Sequence, residues 1–148
     1  MEISLRLWVK PDPSGSCFEI FWIDMGEGNR ANPKQAFKKH EQEVRVRLER
    51  SAKKFAESGK LPKDKGHRRK GKAPYRDLYE FKDPPSGVRM LAFNLKHTTP
   101  SGLGTYVVVL CVRKQKGDIE KSEEERAVRL MELTRDAAAA KKLKLIDP

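Results

Sequence analysis

The stretch SGVRMLAFNL, residues 86–95, reads as a strand of Val88, Met90, Leu91, Ala92, Phe93 and Leu95, yet Arg89 stands near its start. A guanidinium there has two uses. Its planar fork matches the oxygens of a phosphate, or it forms a cross-strand pair with a carboxylate. Alternation places Arg89 on one face with Leu91, Phe93 and Leu95. In the preceding segment, YRDLYEFK (75–82), it places Arg76, Leu78 and Glu80 on one face and Tyr75, Asp77, Tyr79 and Phe81 on the other. Arg89 therefore falls near Glu80 or Phe81. Glu80 can hold Arg89 in place while the remaining donors face a ligand. The plain alternative is that Arg89 is the solvated end of a strand.

Two further basic clusters point the same way. In CVRKQKGD (111–118), Arg113 and Lys114 end a strand and face opposite sides. In KLPKDKGHRRKGKAPYR (60–76), residues 60–72 carry seven basic residues and one acid: Lys60, Lys63, Lys65, Arg68, Arg69, Lys70 and Lys72 against Asp64. A sheet lined by Arg and Lys suits single-stranded RNA, which needs backbone neutralisation and some aromatic stacking. Tyr75, Tyr79 and Tyr106 are the stacking candidates, with core positions as their simpler reading. Acid–base work falls to His40, His67 or His97. His40 sits in a polar helix. His67, among positive neighbours, is expected to stay neutral and so to be available as a base. His97 closes a strand. Cys17 and Cys111 have no partnering ligands and read as small buried residues, so no metal motif is expected.

The totals agree with a polyanion partner or an acidic protein. The chain of 148 residues has 32 Lys and Arg against 21 Asp and Glu, a net charge of +11. Such a charge attracts phosphate backbones over long range. The first residues, with Glu2 and Arg6, do not read as a leader peptide, and no run approaches the roughly 20 apolar residues of a membrane helix, so a cytoplasmic chain forming one domain over residues 1–148 is expected.

Positioning these groups requires the following elements. ISLRLWV (3–9) and CFEIFWID (17–24) are strands. Asn32 and Pro33 open a helix over 33–58 that carries Phe37, Val44, Leu48, Ala52 and Phe55 at helical spacing. Its length allows one helix or two bent near His40, with no Gly or Pro to force a bend, and Gly59 stops it. Residues 60–74 form a basic loop. Residues 75–82, 88–96 and 105–114 form an antiparallel meander, because their links are short. The last of the three is apolar throughout and central. A second helix opens on a capping box of Ser122 and Glu125, with Ala127, Leu130, Met131, Thr134 and Ala138 as its stripe, and residues 143–148 form a tail.

DLYEFK, GVRMLAF and YVVVLCVRKQKGDIEKSEEERAVRLM together resemble the RelE/HigB superfamily of bacterial toxin–antitoxin toxins, close to its phage-related branch. The resemblance covers 75–135 well. It implies an α+β fold: an antiparallel four- to five-stranded sheet with N-terminal helices and a C-terminal helix. It also implies cleavage of mRNA, often on the ribosome, without cofactor or metal, and a small antitoxin as partner. In such toxins Arg and Lys stabilise the scissile phosphate while the RNA 2′-hydroxyl attacks. By position, Arg89, Arg113 and Lys114 match the basic residues of such toxins and Arg76 and Glu80 the preceding strand, so Arg89, Arg113, Lys114 and Glu80 are the catalytic candidates. Arg76 and, from the charge of a loop more basic than the family's, Lys65, His67, Arg68, Arg69, Lys70 and Lys72 are the candidates for RNA contacts. Many such toxins carry a Tyr or His after the last strand. This chain has KQKGDIEKSEEE there, which leaves His97 or His67 to substitute. A non-catalytic nucleic-acid module and an inhibitor of a protein target such as gyrase are the competing expectations.

Overall fold

A computed structural model describes residues 2–11, 16–26, 32–96, 102–114 and 117–147. The strands are β1 (Ile3–Val9), β2 (Phe18–Asp24), β3 (Gly66–Arg68), β4 (Leu78–Asp83), β5 (Val88–Asn94), β6 (Gly104–Arg113) and β7 (Leu143–Ile146). The helices are α1 (Pro33–Lys38), α2 (Gln42–Ser58) and α3 (Lys121–Ala139). All seven strands join one sheet in the order β3-β4-β5-β6-β2-β1-β7.

The meander of β4, β5 and β6 is antiparallel, as its short links require. The expected four- to five-stranded antiparallel sheet is overturned. The sheet has seven strands and is mixed, because β2 pairs parallel with β6 and β1 parallel with β7. Both parallel pairs join strands far apart in the chain, and short-range spacing carries no information about such partners. The 60–74 segment is likewise more than a loop, since β3 lies within it and pairs antiparallel with β4. Residues 75–77 form a 3-10 turn before β4 begins. The expected tail supplies β7: Leu143 packs on the core, and the Ile3 N–H donates to the Lys142 carbonyl at 2.9 Å.

Helices cover both faces. Val44, Leu48, Ala52 and Phe55 of α2 pack with Trp22, Phe81, Met90 and Val108 on one side. Ala127, Leu130 and Met131 of α3 pack with Leu78, Leu91, Phe93 and Val107 on the other. The central position of β6 explains its unbroken apolar run. A bulge at Val109 shifts its register against β5, so that Val109 and Leu110 both join the α3 side. Burial raises the Cys111 thiol to about 12, in keeping with an inert core residue, whereas Cys17 is exposed, contrary to expectation.

The helix termini follow local chemistry. Asn32 precedes Pro33 at the start of α1, and the chain breaks between α1 and α2 at residues 39–41, around the partly buried His40. Gly59 closes α2 in a left-handed conformation, φ 77°. The capping box of α3 uses Glu120 and Glu123 instead of Ser122 and Glu125, one turn fragment earlier than its Ser suggests. At β3, Gly66 lies against the Tyr79 ring, and a Cβ there would come within 2.6 Å of the Tyr79 hydroxyl. Edge strand and meander can therefore pack closely only at glycine.

The β4–β5 turn is fixed by Asp83. Arg47 donates to both its oxygens at 2.7 and 2.9 Å, and the Ser86 hydroxyl donates at 2.6 Å. Burial works against the carboxylate, but the hydrogen bonds from Arg47 and Ser86 and the Arg47 charge outweigh it, so its pKa is lowered. A lowered folded-state pKa gives stability that is present above the unfolded value of about 3.9 and lost as pH falls through the folded one. Asp83→Asn is therefore expected to cost about 2 kcal/mol at pH 7. Urea denaturation should show the gap to wild type closing below about pH 4; a gap independent of pH would contradict this assignment.

Candidate nucleic-acid interface

Three neighbouring strands put chemistry on the α3 face. His67 of β3 lies directly opposite Glu80 of β4. Arg89 of β5 lies one diagonal step away, because Leu91 is the residue opposite Glu80 and Lys82 the one opposite Arg89. Arg69 follows β3, and its N–H continues the ladder to the Leu78 carbonyl at 2.9 Å. These residues and the start of α3 enclose a groove of about 770 Å³, rimmed by Lys63, Arg68, Lys70 and Lys82.

Glu80 is the floor of the groove, with no exposed surface. Its Oε1 accepts from Arg69 Nη1 at 2.8 Å and lies 3.8 Å from His67 Nε2. Its Oε2 stands 3.4 Å from Arg89 Nη1 and has no hydrogen-bond partner. Arg69 continues outward, donating from Nε to Glu124 at 2.8 Å and from Nη1 and Nη2 to Asp118 at 2.9 and 3.2 Å. Arg89 donates to Asp118 at 3.1 Å and to the Gly117 carbonyl at 2.8 Å. Burial disfavours the Arg69 charge, yet the hydrogen bonds to Asp118, Glu124 and Glu80 prevail and raise its pKa above the ordinary arginine value. The Arg69 hydrogen bond, the Ile119 N–H and the two guanidinium charges lower the pKa of Asp118 despite partial burial.

The pairing expected between Arg89 and Glu80 is thus present, and Arg69 shares it. His67 shares the groove with the expected cations Arg68, Arg69 and Lys70, and its Nε2 also has the Glu80 carboxylate 3.8 Å away. Its Nδ1 is 2.8 Å from the Arg68 carbonyl, a contact that requires Nδ1–H as donor and turns Nε2 toward the groove. Lys114 is held at the α3 terminus by Glu120 and Glu123 at 3.2 and 3.0 Å, and those hydrogen bonds raise its pKa. Arg113 lies apart, donating to the Ser86 carbonyl and pairing with Glu41 at 3.6 Å. Arg76 is exposed on the 3-10 turn instead of lining a strand, and Lys65 and Lys72 lie outside the groove lining. His97 falls outside the described residues. Tyr79 and Tyr106 are core residues around Phe55, and Tyr75 packs partly against the α3-side core, so none of the three is an open stacking platform.

Sequence reasoning missed Asp118, Glu124 and Lys82, and counted Lys63 only as one charge of the basic cluster. Glu124 reads as a helix-terminus charge, and only the fold brings it 55 residues back to Arg69. Lys82 carries a readable signal once the register is known: like charges directly opposite on a sheet are unfavourable, and Lys82 faces Arg89. Lys63, Arg68, Lys70 and Lys82 make no ion pair within 4 Å among the described residues. The chain matches no protein-family model and no curated protein.

Removing one partner of a buried ionic cluster leaves the others uncompensated. Glu80→Gln is expected to cost on the order of 3 kcal/mol, whereas Lys82→Ala should stay within about 0.5 kcal/mol of wild type or gain stability. Paired urea titrations measure both. Equal losses would contradict the division between a structural floor and an unpaired rim.

Proposed function

We propose that this chain is a cytoplasmic toxin of the toxin–antitoxin kind that binds single-stranded RNA in this groove and cleaves it. The observation that carries the reading is the meeting of His67, Arg69 and Arg89 over the Glu80 floor, beneath four cations with no ion pair among the described residues. The rim neutralises backbone phosphates. The resemblance of 75–135 to RelE/HigB toxins supports the reading through the meander and α3, the unit that it covers.

In the reaction the RNA 2′-hydroxyl attacks its own phosphorus. The O2′–P bond forms, the P–O5′ bond breaks, and the products end in a 2′,3′-cyclic phosphate and a 5′-hydroxyl. His67 Nε2 accepts the 2′ proton, and the departing O5′ takes one from solvent. Arg69 and Arg89 stabilise the charge that develops on phosphorus. Glu80, fully buried, is a positioning residue that aims both guanidiniums. An antitoxin segment complementary to the rim would offer it carboxylates on an apolar strand or helix.

One observation favours the non-catalytic module: Asp118, Glu124 and the Gly117 carbonyl already occupy arginine donors. Controlled expression with primer extension on cellular mRNA separates the two. Growth arrest with new RNA ends is expected, and His67→Ala should slow cleavage by the purified protein in EDTA by about 10²-fold or more. RNA binding without cuts, with a salt dependence lowered by about one phosphate in Lys63→Ala or Lys82→Ala, would establish the binding module. Arrest with neither cuts nor RNA binding would overturn both.

A further inference from the structure

Asp118 differs from the other two carboxylates that hold Arg69. Glu80 and Glu124 have side chains 0% and 15% exposed, whereas Asp118 is 64% exposed. It nevertheless makes the contacts an incoming anion would make. Its Oδ1 bridges Arg69 Nη1 and Arg89 Nη1 at 2.9 and 3.1 Å, and its Oδ2 takes Arg69 Nη2 at 3.2 Å. A two-oxygen contact with one guanidinium and a bridge to a second is the geometry in which arginine pairs bind phosphate. The remaining contact of Asp118 is local, from the N–H of Ile119 at 2.7 Å.

We infer that the Arg69–Arg89 fork is a subsite for one phosphodiester group and that the Asp118 carboxylate is its resident competitor. The inference rests on the RNA-groove reading and names the atoms that take the phosphate. Asp118 can leave by side-chain rotation, because the chain on either side is anchored independently. The Lys114 N–H donates to the Gly87 carbonyl at 2.7 Å, and Ile119 is buried. Glu80 and Glu124 keep the two guanidiniums in place when Asp118 turns away. Arg69 Nη1 and Nη2 and Arg89 Nη1 then face the groove, where the phosphate takes up the three guanidinium contacts that the carboxylate gives up. The observed affinity is the intrinsic affinity reduced by the fraction of time the fork stands open.

The test is fluorescence anisotropy with a labelled 2′-O-methyl oligoribonucleotide, which lacks the attacking hydroxyl. Wild type is compared with Asp118→Asn and with Asp77→Asn, which removes the same charge at the Arg135 pair away from the groove. Asparagine keeps an oxygen for the Ile119 N–H. Asp118→Asn is expected to tighten binding by about tenfold or more, and Asp77→Asn by less than about threefold. Asp118→Ser should reproduce the larger gain, which guards against a folding defect peculiar to one variant. If all the proteins bind but the Asp118 variants do not exceed Asp77→Asn, the inference is wrong and the groove stands. If none binds, the groove reading falls with it.

Discussion

A carboxylate with no exposed surface sits between two guanidiniums, one from either side of its strand, and the arrangement around it follows from that burial. An ion removed from water is tolerated only when paired closely. Glu80 meets this need with Arg69 beyond the end of β3 and Arg89 on β5. Those arginines bring more positive charge than Glu80 can balance. Asp118, just before α3, and Glu124, in its first turn, pair with them as well, so that three carboxylates face two guanidiniums. One chain of charges thus fastens the edge strand, the meander and the last helix to one another at one end of the sheet.

The apolar architecture makes that chain possible. With α2 on one face and α3 on the other, β4 and β5 are covered along most of their length, and their α3-side residues run from Phe93 and Leu78 into polar groups only where α3 begins. The groove lies at this end of the helical cover. Its floor, Glu80, belongs to the sheet, and its rim is basic because Arg68 ends the edge strand and Lys63 and Lys70 flank it. A cationic surface backed by an ion-paired floor separates affinity from positioning: the rim attracts, and the fork orients.

Much of the local structure is legible in the sequence. Residues 3–9 alternate as β1 does, Asn32–Pro33 and Gly59 bracket the helical region, and the short links around 83–87 and 97–104 require an antiparallel meander. Alternation and a tight turn bring Arg89 near Glu80 or Phe81 without fixing the register, which sets Arg89 opposite Lys82 and diagonal to Glu80. The parallel partnerships of β2 with β6 and β1 with β7 are not legible, since nothing local encodes which distant strand completes an edge. Ser122 misleads because Glu120 and Glu123 form the same reciprocal box two residues earlier. Asp118 and Glu124 escape notice because an acidic helix start has a sufficient local explanation, and their second role exists only after the sheet has formed.

The most direct test of the central claim locates RNA on the protein. A 4-thiouridine oligoribonucleotide would be photo-crosslinked to the chain and the adducts mapped by mass spectrometry. Adducts concentrated in residues 63–70, at Lys82 and in 117–124, and suppressed by unlabelled RNA, are the predicted result. Adducts confined to the α1–α2 face or to the β1–β7 edge, with the groove unlabelled, would contradict it.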